Sequence, residues 1–299
     1  MSQVRWQVGL ALAGCFAIAQ PSGAQGPAPA APMKASSKLS YFSEAPPNSG
    51  AATFNLGDRF SGPGAVTVGW LGSKKQVVLP PGEWVVLAAV DHASGGSRSV
   101  KLATFVFGKF SGEQLAASLT VTVNRYASPV NRWTDIEACA QPEADQLFHA
   151  ATSMSAMQTE CVRMRGVGAA LAGSGTLGDE LRSSLKRLGA HAGGTAIVTQ
   201  MYVADKRDGY MRVARTDWPS IALGNTAVAD WKPDAVARSE VRAAYVKELI
   251  RWVEAYRPLA NQGFHRALAG EDLVPSGSAR APTDLQSIGE FEPSIAAPR

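Results

Sequence analysis

Histidine and cysteine are scarce in this chain, four and three among 299 residues, and their spacing excludes most recognisable site chemistry. His92, His149, His191 and His265 lie far apart, so no HxxxH or HExxH motif places two imidazoles on one helix face. The cysteines form no CxxC, no histidine stands at ligand spacing from Cys139 or Cys161, and no acidic cluster follows calcium-loop spacing. The expectation is a chain with no metal and no cofactor. A serine-nucleophile elbow, GxSxG, is absent as well, because Ala172 stands where its first glycine belongs, two residues before Ser174. Lysines and arginines are scattered rather than clustered, which argues against nucleic acid as a partner.

Long apolar runs are missing too. Residues 8–19 give twelve uncharged, mostly apolar positions, and a membrane-spanning helix needs about 20. What this run does form is the middle of an export signal. Arg5 precedes it, and Pro21, Ser22, Gly23 and Ala24 follow, with small residues at the −3 and −1 positions of a cut before Gln25. Residues 17–19 offer an alternative cut. Leu12-Ala13-Gly14-Cys15 also fits a lipobox, in which Cys15 would be acylated and the chain tethered to a membrane. The apolar run continues past Cys15 and the stretch before it is short, so simple cleavage is the expectation.

Composition divides the remainder. Residues 25–40 are rich in proline, alanine and serine and read as a linker. Residues 270–299 hold five acids against Arg280 and Arg299, four prolines and little to bury, and read as a disordered acidic tail. Between them, 41–269 is expected to be one α+β domain. With the leader and tail removed the body carries +6, a balance suited to an anionic surface such as lipid headgroups or cell-wall polymer.

Within that body, periodicity predicts a largely antiparallel meander sheet with two packing helices. Strands are expected at 66–70, 76–79, 83–90, 100–107 and 115–124. Pro80-Pro81-Gly82 carries the signature of a type II turn between the second and third. In 115–124, Leu115, Ala117, Leu119, Val121 and Val123 alternate with Ser118, Thr120, Thr122 and Asn124, predicting one core face and one wet face. A second hairpin joins 195–203 to 210–216 through Asp205-Lys206-Arg207-Asp208-Gly209.

The first helix is expected at about 176–188. Leu177, Leu181, Leu185 and Leu188 form its stripe, Thr176 caps it, and Gly189 stops it. The second is expected at about 239–256, with Val241, Tyr245, Leu249, Trp252 and Tyr256 as its buried stripe and Pro258 as its end.

The candidate site residues are few. Cys139 and Cys161, an even pair in an exported chain, are expected to form a disulfide, with two buried thiols as the alternative. Gly173-Ser174-Gly175-Thr176-Leu177-Gly178 matches GxGxxG. No acid stands near Val198 for a ribose, however, and Asp179 and Glu180 would repel phosphate, so it reads as a glycine loop before a helix. Asp91 and His92, at a strand end, are the pair to mutate first should an activity be found. Trp218 and Trp231 flank the stretch between the last strand and last helix and are the surface candidates for stacking a ligand, although packing of that stretch is the favoured reading. Trp84 and Trp252 are assigned to the core.

Leu79-Pro80-Pro81-Gly82-Glu83-Trp84, the Cys139/Cys161 pair, Trp231-Lys232-Pro233-Asp234, Tyr245, Trp252 and Gly263-Phe264 occur here in one order. In that order the chain resembles a group of uncharacterised exported proteobacterial proteins, over most of 65–268. The resemblance implies one exported domain and carries no reaction or ligand with it.

The function expected is that of an exported periplasmic protein with a non-catalytic binding or envelope-associated role. Its partner would be an envelope protein, a cell-wall polymer or a membrane surface. The alternative is an exported hydrolase or carbohydrate-active enzyme whose site assembles from dispersed residues, and the alternative location is a membrane-tethered lipoprotein through Cys15.

Overall fold

The alternation of Leu119, Val121 and Val123 with threonines becomes the fourth of eight strands among the described residues, all paired antiparallel. The computed structural model describes residues 54–69, 74–93, 101–125, 133, 136–168, 175–207 and 209–269. The expected leader with Cys15, the linker and the acidic tail lie outside the described residues. So do Trp70 and residues 169–174 of the glycine loop.

The strands are β1 (Arg59–Val68), β2 (Lys75–Ala93), β3 (Lys101–Ser111), β4 (Gln114–Asn124), β5 (Gln146–Met154), β6 (Gln158–Gly168), β7 (Thr195–Asp205) and β8 (Gly209–Asp217). Their spatial order is β1-β2-β3-β4-β8-β7-β6-β5. Two four-strand meanders are therefore joined edge to edge where β4 meets β8. The helices include α1 (Glu137–Ala140), α2 (Thr176–Arg187), α3 (Ser220–Leu223), α4 (Pro233–Ala237) and α5 (Glu240–Ala269). An α+β class with an antiparallel sheet is what results.

Both expected helices form, with corrections. α2 buries Leu181 and Leu185, while Leu177 and Leu188 pack partly against the same cluster. Its N-cap is Gly175, so Thr176 is the first helical residue rather than the cap. α5 runs through Pro258 and does not end there. A proline inside a helix forfeits one hydrogen bond and crowds the preceding turn. Here the turns beyond it bury Leu259, Ala260 and Phe264, which offsets that cost. Val241 is exposed, and the buried stripe starts at Tyr245 and includes Val246 and Val253.

Local turn chemistry added one hairpin. Pro80-Pro81-Gly82 is no turn: β2 continues through it, so the expected strands 76–79 and 83–90 are one, while the expected reversal ahead of them stands, with Val68 paired to Lys75. Gly62 pairs with Gly82 and Gly64 with Leu79, so Pro63 alone faces two prolines. This is a bulge, one of the places where a sheet tolerates residues that lack an N–H. Gly82 does take the positive φ expected of it, 112°. Gly62 is required there too, since a Cβ would overlap the Pro80 carbonyl oxygen.

A second bulge, between Lys109 and Phe110, divides β4. Leu115 thereby joins the cluster under α2, whereas Ala117, Leu119, Val121 and Val123 face the main core under α5. The face expected to be wet is largely closed: Ser118, Thr122 and Asn124 are buried. The Thr104 and Thr122 hydroxyl oxygens lie 2.9 Å apart, and Asn124 Oδ1 accepts from Tyr210 N at 2.9 Å. Strands β5 and β6 had no counterpart in the sequence reading.

Candidate functional site

β6 reads Cys161-Val162-Arg163-Met164-Arg165, and strand alternation sends consecutive side chains to opposite faces. Val162 and Met164 enter the core under α5. Cys161, Arg163 and Arg165 take the other face. Register carries that face across the sheet in rows. One row runs His149, Arg163, Gln200, Ala214, Thr120, and its neighbours run Cys161, Tyr202, Arg212, Thr122 and Gln146, Arg165, Val198, Thr216. Three arginines from two strands are thus gathered on the side away from α5.

Arg163 is held in place before any ligand arrives. Its Nε donates to Gln200 Oε1 at 2.7 Å, the Tyr202 hydroxyl donates to the same oxygen at 3.0 Å, and the guanidinium carbon lies 5.7 Å from the Tyr202 ring centre. Its Nη1 reaches Glu143 Oε1 at 3.3 Å, while Arg165 Nη1 lies 3.5 Å from Glu143 Oε2. Arg212 donates from Nη2 to Thr122 Oγ1 at 3.2 Å. Among the described residues Glu143 is the carboxylate paired with this group, so the face keeps an excess of positive charge. Buried polar atoms here also lack hydrogen-bond partners: both amide atoms of Gln146, His149 Nε2 and Arg212 Nε.

The cysteine pair builds the rim. Cys139 and Cys161 are at disulfide distance, with Cα atoms 5.6 Å apart and both residues buried. The bridge ties α1 to β6 two residues from Arg163, and Glu143 follows α1 by three residues. Tyr202, Tyr210 and Ile136 pack around it, and Trp133 stacks on Tyr210 at 6.3 Å. Burial raises the Tyr210 hydroxyl far above its ordinary pKa, so it stays protonated.

The residues singled out from sequence lie elsewhere. Asp91 and His92 are consecutive in β2, so their side chains point to opposite faces and form no dyad. Asp91 pairs with Arg125 at 2.8 Å, and His92 is exposed. Desolvation raises the Asp91 pKa, opposed by the positive charge of Arg125 and then by His92 and Lys101.

Trp218 and Trp231, the surface candidates, are core residues, 2% and 1% exposed, in line with the favoured packing of that stretch. Trp218 Nε1 donates to Gly193 O at 3.1 Å and Trp231 Nε1 to Thr226 Oγ1 at 3.0 Å. With the indole N–H satisfied nearby, each ring is free to bury. Trp218 packs beneath α2, and Trp231 lies against Tyr245 at 5.6 Å.

A cleft of about 310 Å³ opens between β1, β2, β3 and the end of α2, lined by Arg59, Glu83, Lys109 and Phe110. Its charges are engaged internally: Arg59 pairs with Glu83, and Lys109 Nζ donates to Pro81 O at 2.9 Å. Among the described residues no group of three or more His, Cys, Asp or Glu side chains gathers as a metal site, and no helix is long and apolar enough to cross a membrane.

A scan against protein-family models found none that matches, and searches of curated proteins and solved structures found no match either. Sequence reasoning passed over Arg163 and Arg165, although their alternation with Val162 and Met164 was the signal that marked them.

Proposed function

We propose that this chain is an exported protein of the bacterial periplasm with a non-catalytic role, binding an anionic component of the envelope on its arginine-lined sheet face. The observation that carries this reading is the convergence of Arg163, Arg165 and Arg212 on one face, where Glu143 pairs with the first two and Arg212 bonds Thr122. Arg163 and Arg212 are fixed by the neutral partners Gln200 and Thr122, which suits them to hold carboxylate or phosphate without ordering long side chains at the moment of binding. The export signal read at residues 1–24 and the buried cysteine pair support an oxidising compartment, where anionic cell-wall polymer and lipid are the abundant partners.

The test uses the oxidised chain 25–299, soluble cell-wall glycopeptides and phosphatidylglycerol vesicles. Binding to at least one probe is expected at low salt, weakening as salt rises. Arg165→Gln should weaken it about tenfold, the worth of one charge-assisted hydrogen bond. Absence of binding to both probes, or affinity unmoved by Arg165→Gln, overturns the reading. Mass spectrometry of the mature amino terminus checks export: Gln25 is the expected first residue, and an acylated Cys15 would replace a free protein with a tethered one.

A further inference from the structure

Glu143 and the two arginines have the geometry of a clamp around its cargo. The two oxygens of one planar carboxylate are divided between two guanidinium groups, one to Arg163 and one to Arg165. These arginines are two residues apart on one strand face, about 7 Å along it, so a group bridging them must present two oxygens in opposite directions. Both contacts are long, 3.3 and 3.5 Å, where charge-assisted N–H to O bonds settle at about 2.8 Å. Glu143 is also half exposed at 48%, whereas Arg163 beneath it is 14% exposed and fixed by Gln200 and Tyr202. Arg163 is the rigid half of the clamp, whereas Arg165, 36% exposed, and the carboxylate are its movable parts.

We infer that Arg163 and Arg165 form a binding clamp for a ligand carboxylate, and that Glu143 is its resident competitor, displaced when the ligand enters. This rests on the anion-binding reading above and sharpens it: the ligand class is a carboxylate-bearing cell-wall glycopeptide, whose carboxylate takes the place of the Glu143 carboxylate. The exchange is neutral in charge, one carboxylate leaving for solvent as another arrives. Glu143 therefore sets the apparent affinity without contributing to the bound state. A site that is partly self-occupied binds more weakly in proportion to the fraction of time it is closed.

That relation fixes the sign of the test. An exposed ion pair of this kind closes the clamp by a factor of about two to five. Removing its charge with Glu143→Gln should tighten glycopeptide binding about two- to fivefold, while Arg165→Gln weakens it. Titration calorimetry on the oxidised chain, with a soluble glycopeptide carrying free stem carboxylates, reads both changes. The same glycopeptide after methyl esterification should bind neither the parent nor the Glu143→Gln chain, and inorganic phosphate should compete poorly with the free form.

Glycopeptide binding that Arg165→Gln weakens and Glu143→Gln leaves unchanged would overturn the competitor role while the anion-binding reading stands. Equal binding of the esterified glycopeptide, or stronger binding by phosphate, would overturn the carboxylate class. No binding by any of the three probes would overturn the inference, and joined to failure of the vesicle arm it would remove the broader reading as well.

Discussion

The guanidinium of Arg215 lies 4.5 Å from the ring centre of Trp252, sandwiching a full charge between β8 and α5 in the main core. Asp217 accompanies it two residues along the strand, taking bonds of 2.9 and 3.0 Å from Nε and a 2.8 Å contact from Nη2. Both side chains are almost wholly buried, 2% and 5% exposed. Burial is also the main reason the neighbouring Tyr245 hydroxyl is raised, with the Asp217 charge adding to it.

Removing one member of such a pair strands the other in a medium that solvates it poorly, at a cost of about 3–5 kcal/mol. Arg215→Met and Asp217→Leu should each destabilise by about that amount in urea denaturation. The double variant should recover most of the loss, because a well-packed apolar pair has no charge to desolvate. Losses below about 1 kcal/mol in the single variants would show that water reaches the pair.

Tyr256 fastens the same helix to the other meander. Its hydroxyl donates to the Val78 carbonyl on β2 at 2.7 Å, across 178 residues of sequence. Burial raises its pKa well beyond the ordinary tyrosine value, so the donor persists at any pH the fold survives. Tyr256→Phe keeps the ring and deletes the donor, and should cost about 1–3 kcal/mol with an unchanged denaturant slope. A neutral outcome would mean that the carbonyl finds a substitute partner.

What could be read in advance follows from the range of the forces involved. β4, the β7–β8 hairpin and the stripes of α2 and α5 were legible, since each is set by a period within one segment. Pro80-Pro81-Gly82 was misread because the turn rule sees four residues, while the bulge that absorbs it is defined by Gly62 and Gly64 on another strand. Pro258 was misread as a stop because the compensation sits in Leu259, Ala260 and Phe264, whose value depends on the sheet beneath them. β5 was missed since Gln146–Met154 has no clean alternation and its register breaks twice against β6. The arginine face required the pairing of β6 with β7 and β8, which no single segment encodes.

The cysteine pair gives a prediction that bears on both stability and the site. A bridge across 22 residues restricts the unfolded chain by about 3 kcal/mol on the loop-entropy account. Cys139→Ser/Cys161→Ser should lose stability of that order in denaturant. The same variant should also broaden or shift the nuclear resonances of Glu143 and Arg165, because α1 would no longer be tied to β6 beside Arg163. Thermal stability unchanged by reductant or by the double substitution would count against the bridge.

Asp91 supplies a pH dependence whose sign is opposite to that of most paired carboxylates. Its pKa is raised from 3.8, with desolvation outweighing the attraction of Arg125. Between the unfolded value and the higher folded one, the native chain binds more protons than the unfolded chain. Asp91 therefore costs stability when ionised above its folded pKa, and that cost is relieved as the pH falls through this window. Asp91→Asn carries no such charge, so its stability relative to the parent should be highest near pH 7 and should decline on acidification towards pH 4. Urea denaturation of both chains across that range reads the difference, and carbon NMR of the Asp91 carboxyl should give a midpoint above the ordinary aspartate value. A midpoint at or below 3.8, or a difference that grows on acidification, would place the Arg125 attraction above the desolvation and reverse the assignment.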